Sequence, residues 1–131
     1  MNWNMEWDRS ESCQMKVILS DGSTELHAIL NETVSAREFA AHLPCRVKGD
    51  DSGTNYCFPF PRVRFDPMEL QSGWKNGDLC LCDGWFAILY AGEEESSSDR
   101  NMMIIGHLEK ESEEKVKDLP EKVVLTIRAE E

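Results

Sequence analysis

The chain has 131 residues, 40% of them hydrophobic and four of them tryptophan, which is enough apolar material for one folded domain and excludes wholesale disorder. Fourteen Lys and Arg against 25 Asp and Glu leave a net charge of −11. There is no basic excess to neutralise nucleic-acid phosphates or to hold an anionic membrane surface, so neither is expected as a partner.

The first residues, Met1 to Gln14, carry Glu6, Asp8 and Glu11 and have no apolar run, so they do not read as a secretory signal. We expect residues 1–14 to be a flexible extension and residues 15–131 to form a single domain. The five cysteines (Cys13, Cys45, Cys57, Cys80 and Cys82) are odd in number and too sparse for a disulfide scaffold. They suggest a reducing, cytoplasmic setting with thiols acting as small hydrophobes. Cys80 and Cys82 share a strand face. With His27, His42 and His107 scattered and no C-x₂-C spacing, no metal site is expected.

In chain order, Met15 to Ser20 and Thr24 to Leu30 flank an Asp21-Gly22 turn, and Leu26, Ala28 and Leu30 alternate with polar neighbours. This is a hairpin pattern. The period then changes. Ser35 and Glu38 have capping-box spacing, and Ala36, Phe39, Ala40 and Leu43 line one helical face that Pro44 ends. So short a helix must pack on a sheet to persist.

A short strand from Cys45 to Lys48 leads through a Gly/Asp loop into Tyr56, Phe58 and Phe60, which alternate with Cys57, Pro59 and Pro61. Two prolines cannot donate ladder hydrogen bonds, so this run predicts an edge or irregular segment. Arg62 to Phe65 resumes an extended pattern, and Pro67 to Gly73 reads as loop. Leu79 to Cys82, the pair Asp83-Gly84 and Trp85 to Ala91 predict a second hairpin. The returning strand is apolar on both faces, so one face should fill an interior and the other should lie under a helix. Glu93 to Asp99 reads as solvated loop. Met102 to Leu108 predicts a strand, Ser112 to Leu119 a short helix, and Lys122 to Arg128 a closing strand with Val123, Leu125 and Ile127 inward.

About eight short strands with two short helices make a small, mainly β, capped barrel. Three places carry a resemblance to a known family: the opening hairpin running into Thr33-Val34-Ser35-Ala36-Arg37-Glu38-Phe39, the Gly77-Asp78-Leu79 entry to the hairpin ending Phe86-Ala87-Ile88-Leu89-Tyr90, and Ile104-Ile105-Gly106-His107-Leu108. From Met15 to about Arg128 the chain resembles a family of small prokaryotic proteins with a cyclophilin-like fold and no characterised molecular function. The resemblance implies a closed antiparallel barrel with two helices plugging its ends. It does not imply prolyl isomerase activity. True cyclophilins carry an F-H-R stretch and a Q-G-G-D stretch, and neither occurs here. Without that arginine motif, a named source of transition-state stabilisation is gone.

No G-x-S-x-G, H-E-x-x-H or phosphate-cradling loop occurs, and no cofactor is expected. Acidic pairs such as Asp50-Asp51 are accounted for by turns, and no histidine has a visible partner that would make it a general base. The aromatic group Tyr56, Phe58, Phe60, Phe65 and Trp74 reads first as core and rim packing. Its functional reading is an aromatic groove with Arg62 or Arg64 as donor, a site for a peptide or small molecule. We therefore expect a non-enzymatic binding module, with a diverged peptidyl-prolyl isomerase as the alternative.

Overall fold

A computed structural model describes residues 14–130. The expected N-terminal extension thus lies, except for Gln14, outside the described residues. Eight strands follow in chain order: β1 (Met15–Ser20), β2 (Glu25–Leu30), β3 (Cys45–Asp51), β4 (Asn55–Pro59), β5 (Asp78–Cys82), β6 (Trp85–Leu89), β7 (Ile104–Leu108) and β8 (Lys122–Ala129). They close in the order β1-β2-β7-β5-β6-β4-β3-β8, with every pairing antiparallel. Helix α1 (Val34–Ala41) follows β2, and helix α2 (Lys110–Lys115) precedes β8.

Strand alternation sorts the side chains. Val17, Leu19, Leu26, Ala28, Leu30, Leu79, Leu81, Phe86, Ile88, Leu125 and Ile127 point inward and form one core. Full closure removes the free edges that would otherwise template pairing with another chain. The two ends of the barrel are plugged by different devices. At one end α1 inserts Phe39, whose ring centroid lies 5.1 Å from Phe60 and 5.0 Å from Phe86. At the other, Val116 and Leu119 after α2 close the core, and the Tyr56 hydroxyl shares its proton between the carbonyls of Leu119 and Pro120, both at 3.0 Å. Burial, with Asp51 and Glu121 nearby, raises the Tyr56 pKa.

Several local expectations are corrected. The N-cap of α1 is Thr33, whose Oγ1 accepts from the Ala36 N–H at 3.1 Å, and not Ser35. Arg62 to Phe65 is extended but joins no ladder, and Pro67–Glu69 and Glu93–Ser98 wind into 3-10 turns within the expected loops. The last helix begins two residues early and tightens into a 3-10 turn at Val116–Asp118. The outer face of β5 and β6 is covered by loop residues Trp74 and Met102, packed on Cys80, Leu89 and Ile104, where a helix was expected. Trp85, farther along that face, stays half exposed. Among the described residues no helix is long and apolar enough to cross a membrane.

Candidate functional site

A pocket of about 450 Å³ opens at the α1 end of the barrel. Its first wall is Pro61 to Phe65. Here the chain leaves β4, and the Phe60 N–H donates to the Gly84 carbonyl at 2.9 Å. The bond pins the segment beside the β5–β6 turn, while Pro61 and Pro67 keep it out of a ladder. Asp83 and Gly84, at φ 55° and 91°, form the second wall. Two successive left-handed residues give a tight hairpin turn whose twist matches the strands it joins. Leu81 and Met103 are buried beneath, with Leu70 at the side, so the lower part of the pocket is apolar.

Polar groups sit around this apolar lining. Arg62 Nη1 lies 3.9 Å from Asp83 Oδ1, with both side chains largely exposed. Asn101, held at φ 62°, faces the pocket from the loop before β7. Ser35 is buried, and its hydroxyl donates to the Arg64 carbonyl at 2.8 Å. Cys82 completes the β5 side.

The residues expected to make an aromatic groove are divided by the fold. Tyr56, Phe58 and Phe60 are 3%, 0% and 7% exposed and belong to the barrel core, so they present no continuous surface. Arg62 and Phe65 do line the pocket, and Phe65 is 54% exposed at its rim. Arg64 turns to α1, where its Nε and Nη2 donate to Glu38 Oε2 at 3.0 and 2.8 Å. Trp74 lies on the outer face of β5 and β6, its backbone N–H bonded to Ser96 Oγ at 2.9 Å. The contributions of Ser35, Leu81, Asp83, Asn101 and Met103 were missed by sequence reasoning. The one signal was the Asp83-Gly84 turn, which announced a tight reversal without saying what it would face.

A second group gathers at the opposite end. His107 Nδ1 is 2.7 Å from Asp78 Oδ1, and its Nε2 is 3.0 Å from Glu113 Oε2. Burial alone would lower the His107 pKa, but the hydrogen bonds and charges of Asp78 and Glu113 outweigh it, and the net shift is upward. With both ring nitrogens within hydrogen-bond distance of a carboxylate, the imidazole ties β5, β7 and α2 together. Nearby, the Tyr90 hydroxyl donates to Asp51 Oδ1; burial and that carboxylate push its pKa up to about 12. Burial likewise pushes the Cys80 thiol up to about 12. Among the described residues no three His, Cys, Asp or Glu side chains are placed to hold a metal ion.

A family model described as the Cyclophilin-like family matches residues 19–128. The chain belongs to the cyclophilin-like family. Its barrel is similar to the solution structure of a hypothetical protein from Archaeoglobus fulgidus, with a TM-score of 0.65 at 16% identity over 90% of this chain and 96% of that one. At that identity the likeness speaks for the fold alone. No curated protein matches the chain. In this cyclophilin-like barrel the pocket draws on α1 and β5, on the β5–β6 turn, on the loop before β7 and on the proline-flanked segment that follows β4.

Proposed function

We propose that this cyclophilin-like domain is a non-catalytic binding module that takes a peptide or small molecule in the pocket beside α1. The observation that carries the reading is a cavity of about 450 Å³ with an apolar lining and a few polar groups around it. That is the ordinary make-up and size of a ligand site. The pocket's chemistry favours holding over reacting. Its serine hydroxyl is committed to the Arg64 carbonyl, and His107, the histidine best furnished with carboxylate partners, lies at the far end of the barrel. No histidine stands among the lining residues to activate that serine as an adjacent general base.

The test is a ¹H–¹⁵N titration of the whole chain with the peptide succinyl-Ala-Ala-Pro-Phe-amide, alongside a coupled prolyl-isomerisation assay on the same sequence. The expected result is saturable shifts at Val63, Gly84 and Asn101 with no acceleration of isomerisation. Unmoved pocket resonances would defeat the binding reading. Acceleration that disappears in Arg62→Ala would instead establish the diverged isomerase.

A further inference from the structure

Three features lie away from the pocket: the His107 cluster, the cleft of about 300 Å³ beside Tyr90 and Glu113, and the thiols on the outer face of β4 and β5. The imidazole is engaged by its two carboxylates, the cleft is lined by Glu113, Glu114 and Lys117 with no further buried polar group aimed into it, and Ala87 stands between Cys57 and Cys80 on the neighbouring strands. The pocket carries more.

Resting on the binding reading above, we infer that the pocket selects neutral ligands in which an apolar group carries an amide, and discriminates against carboxylates and amines of the same shape. Each polar group at the mouth keeps a definite hydrogen-bonding capacity. Arg62 and Asp83 are 3.9 Å apart, beyond good hydrogen-bond distance, so each keeps unspent capacity. The guanidinium has five N–H donors and no acceptor, and the carboxylate is acceptor only. Asn101 adds a donor and an acceptor on one planar group. Ser35 has given its proton to the Arg64 carbonyl, so its hydroxyl has no further proton to donate to a ligand. The charges of Arg62 and Asp83 offset one another at the mouth, and Arg64, on the same segment, is matched by Glu38 at 2.8 Å.

A ligand with a formal charge meets one attractive and one repulsive partner at this mouth, and gains little to offset the loss of its own hydration. An amide meets complementary partners on both sides. Its carbonyl accepts from Arg62 while its N–H donates to Asp83, and the attached apolar group settles over Val63, Leu70, Leu81 and Met103. Both charged side chains remain largely exposed, so the discrimination is modest in size.

Three near-isosteric probes separate these cases: phenylacetamide, phenylacetate and protonated phenethylamine, each titrated into the full chain and followed by ¹H–¹⁵N shifts. The amide is expected to bind roughly threefold more tightly than either charged probe, a difference of about 0.6 kcal/mol. Asp83→Asn, a residue type that tolerates the left-handed backbone there, leaves Arg62 unopposed and should bring phenylacetate up to or past the amide. Arg62→Gln should do the same for phenethylamine. A charged probe that equals the amide in the unaltered chain overturns the inference. So does silence from all three, and the binding reading falls with it only if the succinyl peptide also leaves the pocket unmoved. Variants that fail to reorder the probes overturn the assignment to this charge pair.

Discussion

Gly49 shows how closely the strands of this barrel approach one another. A Cβ built on it would stand 2.0 Å from the Cys57 carbonyl oxygen and 2.8 Å from the Phe58 ring. Its backbone is ordinary extended chain, so the glycine is there for space and not for a left-handed conformation. Phe58 could rotate away, but the Cys57 carbonyl is backbone in the adjoining strand β4 and cannot move without shifting the ladder. Overpacking of this kind costs about 1–3 kcal/mol, and a clash with main chain places Gly49→Ala toward the upper end. The urea midpoint of that variant should fall well below that of the parent chain; an unchanged midpoint would mean that β3 and β4 can separate at this point. Single residues also decide the helix cap. Thr33 and Ser35 are both good capping residues, and Ser35 with Glu38 has the spacing of a capping box. In the fold, Ser35 donates to the Arg64 carbonyl and Glu38 accepts from the Arg64 guanidinium. Both members of the apparent box are claimed by one residue far along the chain, and Thr33 is left to cap the helix.

At the scale of elements, the clasp made by Asp78, His107 and Glu113 joins β5 and β7 to α2, and its behaviour with pH follows from its geometry. An unfolded histidine titrates near pH ~6.5. In the fold the neighbouring carboxylates raise that value despite the opposing effect of burial. A raised folded value means that the clasp's contribution is complete below about pH 6.5 and is lost as pH climbs through the folded pKa. Glu113→Gln removes one charge while keeping a group that can accept from Nε2. The stability difference between parent and variant should therefore be largest at about pH 5.5 and shrink by about pH 8.5, with the other histidines cancelling in the subtraction. Thermal midpoints across that range check it; a difference independent of pH would assign Glu113 a purely steric role beside Gly77, where an added Cβ would lie 3.1 Å from its side chain. The clasp was invisible beforehand because His107 and Asp78 lie 29 residues apart and meet only when β5 pairs with β7. The hairpins were legible for the opposite reason. Alternation with a central Asp-Gly is local, and both turns form where they were expected. The aromatic run lay between these cases. Its alternation was readable, but which face of β4 is interior depends on closure, and closure turned Tyr56, Phe58 and Phe60 inward. The pocket was the least legible feature, since its walls come from α1, the β4–β5 connection, the β5–β6 turn and the loop before β7.

For the molecule as a whole, the decisive event is the meeting of the first strand with the last. β8 lies between β1 and β3, pairing Val17 to Ser20 on one side and Cys45 to Asp50 on the other. Its inward residues Val123, Leu125 and Ile127 are buried, while Val124 on the opposite face is 43% exposed. Burying each of the three is worth about 1.5–3 kcal/mol, so together they rival the ~5–15 kcal/mol by which a domain is stable. Removing residues 122–131 would forfeit that burial and also leave β1 and β3 with unpaired edges on a sheet that can no longer close. The shortened chain should therefore lose its native structure cooperatively, with collapsed amide dispersion and no near-ultraviolet circular dichroism, and should not merely open a seam. Val124→Thr supplies the contrast. It alters the same strand on its exposed face and should stay within about 0.5 kcal/mol of the parent. Native-like dispersion in the shortened chain would mean that seven strands hold a core without closure, and the pocket at the α1 end would then owe its shape to local packing alone.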